Sequence, residues 1–160
     1  MAHGSSAHSG VESILMQQIP GATAVVRATK ADDRNGTDYW VHRGENVPLS
    51  VDAKVRSIDY ATRGEDDLAL EVWSVKEQCI PGWSRNPNKR TDYILWLWQD
   101  TGRWCLVPFP MLCAVFEDNF LDWYLDYRTA TQSTPERGYH SECVFVPRRV
   151  VWAAIYERFA

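Results

Sequence analysis

Between residues 49 and 58 apolar and polar side chains alternate, the signature of a strand with one face on a core and the other toward polar surroundings. Val51, Ala53 and Val55 fall on the core face, and Asp52, Lys54 and Arg56 on the opposite one. Shorter segments of similar character predict strands over 24–29, 37–42, 68–75, 104–107 and 143–146. Residues 93–98, YILWLW, are apolar throughout, as in a strand buried on both faces. Three helices are expected, two of them from a 3.6-residue period. Val11, Ile14, Leu15 and Ile19 mark a helix that Ser9-Gly10-Val11-Glu12 opens as a capping box and Pro20-Gly21 ends. Pro110 suits the first turn of a helix running to about residue 127, and Val151, Ala154, Ile155 and Phe159 line a closing helix over 148–159. Gly-, Asn- and Asp-rich stretches at 30–36, 43–46 and 62–67, the Pro/Gly/Asn-rich 79–90 and the polar 128–141 read as loops and turns. The resulting order predicts one α/β (α+β) domain over 10–160, a mixed central sheet flanked by helices, behind a disordered tail over 1–9.

Strand alternation puts the side chains of Asp52 and Lys54 on one face, roughly 7 Å apart along the strand. Pairing with the strand over 37–42 would bring a second carboxylate, Asp38, beside Asp52. Two carboxylates hold a hard divalent ion such as Mg²⁺, which prefers oxygen donors and keeps several waters. A lysine beside them orients an attacking water or stabilises charge developing on a phosphate. The solvent face of an ordinary amphipathic strand offers the same alternation, and a lone aspartate after Gly36 is commonly a turn residue.

With Glu12 on a leading helix, Asp38 in Gly36-Thr37-Asp38, and Asp52-Ala53-Lys54 on the next strand, residues 10–115 resemble the PD-(D/E)xK nuclease-like superfamily. That family includes restriction endonucleases, Holliday-junction resolvases and small phage and plasmid proteins. The segments DLALEVWSV, PGW and TDYILWLW are similar to the chain downstream of the motif in the small members. Thr37 stands where the family often has proline, which removes no ligand. The resemblance implies a restriction-endonuclease-like core and Mg²⁺- or Mn²⁺-dependent hydrolysis of DNA phosphodiester bonds. Asp38, Asp52 and the Ala53 carbonyl would hold the ion, Lys54 would act on the water, and Glu12 would complete the catalytic set. The capping box accounts for Glu12 equally well, and one carboxylate does not serve both ends. A dimer cutting both strands, in the host-cell cytoplasm, fits a phage-borne enzyme.

Composition narrows the choice of partners. The 160 residues are 45% hydrophobic and 24% charged, with net charge −4 and a sequence pI near 5.5. A basic footprint for nonspecific nucleic-acid binding is missing overall, so local cations carry that role: Arg85, Lys89 and Arg90 in GWSRNPNKR, with Arg148 and Arg149 near the end. No apolar run spans a bilayer, and the polar opening MAHGSSAHSG does not read as a signal peptide. Cys79, Cys105, Cys113 and Cys143 form no Cys-x-x-Cys pair, so free thiols and a reducing compartment are expected. Glu71 is expected to pair with Lys54 or Arg56 across the sheet, Trp83 to pack over the sheet edge, and His42 and His140 to play no assigned part. The acidic stripe Glu117, Asp118, Asp122 and Asp126 reads as a solvated helix face. It also suits a second class of function, in which a nuclease-like fold serves only for binding, as in a phage-encoded inhibitor of a host defence complex.

Overall fold

A computed structural model describes residues 3–86 and 88–160. In chain order its elements are α1 (His3–Gln18), β1 (Ala24–Arg27), α2 (Lys30–Arg34), β2 (Tyr39–Arg43), β3 (Asn46–Arg56), β4 (Asp67–Val75), β5 (Ile80–Pro81), β6 (Tyr93–Trp98), β7 (Trp104–Pro108), α3 (Phe109–Asp126), β8 (Thr129–Thr134), β9 (Tyr139–Pro147) and α4 (Arg148–Phe159). The fold is mixed α/β, with four helices and two sheets among the described residues. None of these helices is long and apolar enough to cross a membrane. The chain divides into two compact units, Met1–Asp59 with Lys89–Phe109, and Tyr60–Asn88 with Pro110–Ala160.

The first unit holds a five-stranded sheet in the order β1-β2-β3-β6-β7. Its pairs are antiparallel except β3 with β6, which run parallel from Val51↔Tyr93 to Arg56↔Trp98. On one face α1 lays Val11, Leu15 and Ile19 against Tyr39, Val41, Val51, Leu95 and Leu97, with Ala53 and Val55 packed beside them. Alternation turns Ser50, Asp52 and Lys54 to the opposite face, on the side that also carries Ile94 and Trp96. β6 is buried on both faces, as its unbroken apolar run requires. Beyond β3 the turn is tied by Asp59, 1% exposed. It receives Arg103 Nε at 2.8 Å and Nη2 at 2.9 Å, and the Thr101 hydroxyl at 2.8 Å. Removing one partner leaves the other charge stranded, so Asp59→Ala is expected to cost about 3 kcal/mol in urea unfolding.

The second unit is an antiparallel sheet in the order β5-β4-β9-β8. Leu68, Leu70, Val72, Val144 and Val146 are fully buried in it, and α4 buries Val151 and Ile155. Within the same unit Glu142, 3% exposed, accepts from Lys76 Nζ at 2.8 Å and from the Tyr124 hydroxyl at 2.6 Å.

Several expectations are corrected. One central sheet becomes two, because β3 takes β6 as its second neighbour and β4 pairs with β9. Within the second unit, Glu71 Oε1 accepts the Trp83 N–H at 3.2 Å. The leading helix starts at His3, not Ser9, so Ser9 and Glu12 lie inside it and no capping box forms there; of the expected tail, Met1 and Ala2 lie outside the described residues. Residues 128–141 are largely strand: Thr129–Thr134 pairs with β9, its polar residues suiting an edge position. In 30–36 a short helix forms behind Thr29, whose hydroxyl accepts the Asp32 N–H.

Candidate active site

The site grows from the place where β2 begins against β3. Asp38 immediately precedes β2, and its N–H donates to the Val51 carbonyl at 2.9 Å. Its Oδ2 then accepts the N–H of Ala53 at 2.8 Å, so the carboxylate takes the place of the next backbone rung. An extended residue presents its N–H and C=O to the same neighbouring strand, and the Ala53 carbonyl is thereby directed toward the Asp38 edge. Asp52 and Asp38 come within hydrogen-bonding reach of each other. Lys54 Nζ lies 3.0 Å from Asp52 Oδ2 and Lys89 Nζ lies 3.5 Å from the same oxygen.

Buried hydroxyls hold this corner in shape. Thr37, Ser50 and Thr91 are each at most 5% exposed. The Thr37 and Ser50 hydroxyls are 2.7 Å apart, Ser50 Oγ donates to the Arg90 carbonyl at 2.8 Å, and Thr91 Oγ1 donates to the Gly36 carbonyl at 2.8 Å. Asp92 adds a clasp: its Oδ2 accepts the Ser50 N–H at 2.7 Å, and its own N–H donates to the Ser50 carbonyl at 2.9 Å. These bonds fix the segment carrying Lys89 and Arg90 against the segment carrying Asp38. Thr37 supplies one of the hydroxyls. The sequence carries no periodic signal for this group, because its members are small polar residues in irregular chain.

The two carboxyls are driven apart in acidity. Burial, then the neighbouring Asp52 carboxyl, pushes Asp38 up to about 7, against the Ala53 N–H that favours its charged form. Asp33, at the end of α2, is also within hydrogen-bonding reach of Asp38 and acts in the raising direction. Burial works to raise Asp52 as well, but Lys54, the hydrogen bond with Asp38 and Lys89 together hold it below the ordinary carboxylate range. In the absence of a divalent ion the dyad thus keeps one proton, on Asp38, over a wide pH range. Between about pH 4 and about pH 7 the unfolded chain releases a proton that native Asp38 retains, so stability falls as pH rises through that window. The Asp52 contribution has the opposite sign and is lost only below it. Melting curves in EDTA from pH 4 to 8 are expected to show this decline in the wild type and a flatter profile in Asp38→Asn.

Glu12, Arg90, Arg85 and Lys89 each have contacts of their own. Glu12 sits on α1, which packs on the face of the sheet opposite Asp52 and Lys54. There its charge acts on Tyr39, whose hydroxyl, raised to about 12 chiefly by burial, hydrogen-bonds His8 Nδ1. Arg90 stacks over Trp40 at 5.3 Å. Arg85 belongs to the other unit, where its guanidinium lies over the Trp73 and Phe120 rings at 4.6 and 4.2 Å and donates to the Val72 carbonyl. Lys89, expected to touch phosphate, has its ammonium on Asp52.

Among the described residues no three His, Cys, Asp or Glu side chains gather around a common point as a metal cage. The two carboxylates that do come together, Asp38 and Asp52, offer hard oxygens, the donor type that an ion such as Mg²⁺ prefers. Compared with protein-family models, with curated proteins and with solved structures, the chain matches none.

Proposed function

We propose that the Asp38–Asp52–Lys54 corner is the centre of a Mg²⁺- or Mn²⁺-dependent endonuclease that hydrolyses DNA phosphodiester bonds within a restriction-endonuclease-like core. The observation that carries the reading is the convergence of two carboxylates and an ammonium where β2 meets β3: Asp38 bonded to the Ala53 N–H at 2.8 Å, and Lys54 Nζ 3.0 Å from Asp52. An amphipathic strand facing solvent has no need to draw a second carboxylate against the first, since like charges at close range oppose folding. When bound, a divalent ion lowers the pKa of water and offsets charge on the phosphate. Asp38, Asp52 and the Ala53 carbonyl would hold it. Lys54, its ammonium beside Asp52, orients the attacking water and stabilises the added negative charge as the phosphorus becomes five-coordinate. Hydrolysis forms one P–O bond from water and breaks the P–O bond to a sugar oxygen, and a water proton ends on the released hydroxyl.

Supercoiled, linear and branched DNA incubated with Mg²⁺ or Mn²⁺ are expected to be cut by the wild type and left intact by Asp52→Asn. A second reading, binding without catalysis, is favoured by one surface. Leu121 and Leu125 on α3 are 68% and 78% exposed beside Glu117, Asp122 and Asp126, as in a docking face for a basic, partly apolar partner such as a host defence protein. Wild-type protein that cuts none of these DNAs with either ion, yet binds such a partner, would establish that reading.

A further inference from the structure

Lys89 reaches the dyad from outside the strand motif, and its placement is built rather than incidental. Its aliphatic stem runs across Gly36, where a Cβ would stand 2.1 Å from Lys89 Cε. The segment bearing it is clasped by the Thr91–Gly36 and Ser50–Arg90 hydrogen bonds. The ammonium ends 3.5 Å from Asp52 Oδ2, with its side chain only 18% exposed. Lys54 meets that same oxygen from the strand, so Asp52 has two ammonium neighbours. Two lysines on one carboxylate exceed what Asp52 needs for its own charge. A largely buried ammonium over a carboxylate also stands where a divalent ion held by Asp52 would place positive charge.

Resting on the nuclease reading, we infer that Lys89 is a resident counter-cation of Asp52 that a divalent ion displaces, and that the displaced ammonium then binds a phosphate of the nucleic-acid substrate. Asp52 carries one negative charge; an incoming ion of charge two satisfies it and repels Lys89. The lysine stem has length to swing its head while remaining over Gly36. The released charge is then available to a phosphate at the same corner, which couples ion binding to substrate binding without any rearrangement of the sheet. Before an ion binds, the substrate cannot use Lys89, because Asp52 does.

Two measurements test this, neither depending on cleavage. The first is Mn²⁺ binding by calorimetry, with Asp52→Asn as control. Lys89→Gln is expected to bind Mn²⁺ roughly fivefold tighter, because the competing ammonium has gone. The second is binding of a short DNA duplex in Ca²⁺ and in EDTA. Lys89→Gln is expected to bind roughly tenfold more weakly in Ca²⁺, with the slope of log affinity against log salt reduced by about one, and almost unchanged in EDTA. Lys89→Arg, which keeps the charge, serves if the glutamine variant fails to fold: it should retain wild-type Mn²⁺ affinity and the salt slope. Unchanged Mn²⁺ affinity in Lys89→Gln, with binding still dependent on Asp52, would overturn the exchange and leave the nuclease reading standing. An equal loss of DNA affinity with and without Ca²⁺ would likewise overturn it. Mn²⁺ binding that survives Asp52→Asn would instead overturn the metal site itself.

Discussion

Lys54→Ala is expected to lower the rate of DNA cleavage by two to three orders of magnitude, on the order of the loss seen when one donor to a developing oxyanion is removed, while leaving the fold in place. The fold should survive because Lys54 contributes to the core only through its strand: Ala53 and Val55, its neighbours in β3, carry the packing against α1. The side chain is 20% exposed and its ammonium lies 3.0 Å from Asp52 Oδ2. Loss of that contact leaves Lys89 still on the same oxygen, so Asp52 is not stranded as a lone buried charge. Because Lys54 acts on charge that appears only in the transition state, KM should change little and kcat should carry the effect. Single-turnover cleavage of a labelled duplex, beside a melting curve for each protein, separates the two. In a protein that only binds, wild type and Lys54→Ala alike would cut no DNA.

Lys54 and its two acids were legible in the chain because each lies on or beside a strand with a clear period. Once Val51, Ala53 and Val55 are assigned to the core, the direction of Asp52 and Lys54 comes from the geometry of one strand alone. The face of α1 was legible on the same grounds, through Val11, Leu15 and Ile19. Partnership between strands was not. Nothing local to β3 states that its second neighbour lies past β4 and β5 in the chain, at Tyr93–Trp98, and the segment DLALEVWSV alternates as well for one sheet as for another. The start of α1 was hidden for a different reason: Ser9 and Glu12 have the spacing of a cap, yet Ser9 lies within a helix already running from His3.

Lys89 shows a third kind of limit. Its sequence neighbours, Pro, Asn and Arg, describe a solvated loop, and a loop lysine near two other cations suggests a phosphate contact. Its place on Asp52 is set by hydrogen bonds between residues far apart in the chain, Thr91 to Gly36 and Ser50 to the Arg90 carbonyl. Arg85, from the same cluster in sequence, turns to the aromatic faces of Trp73 and Phe120. Charge clusters in sequence therefore indicate available cations, and long-range backbone ties decide which of them reach the site.

Asp52→Asn is expected to abolish both cleavage and the stabilisation that divalent ions confer. A ligand that binds the native state alone stabilises it by about 2.7 kcal/mol at a hundred times its Kd. For a chain of 160 residues that corresponds to a rise of roughly 5–10 °C in the melting temperature. Asp52 is the member of the dyad poised to supply this, since Lys54, the hydrogen bond with Asp38 and Lys89 keep it ionised where Asp38 keeps its proton. Asparagine retains the shape and one oxygen but not the charge, leaving an ion with Asp38 and a carbonyl. Substitution also removes the Asp52 contact of Lys54 and Lys89, so the variant should melt lower than the wild type in EDTA, by an amount to be subtracted before the ion effect is read. Asp38→Asn makes the informative companion. It removes the site's other carboxylate without taking Asp52 from either lysine, so its melting temperature in EDTA should hold at neutral pH while its response to Mg²⁺ is lost. An ion-dependent shift that persists in Asp52→Asn at full size would place the ion at some other site and remove the physical basis of the nuclease reading.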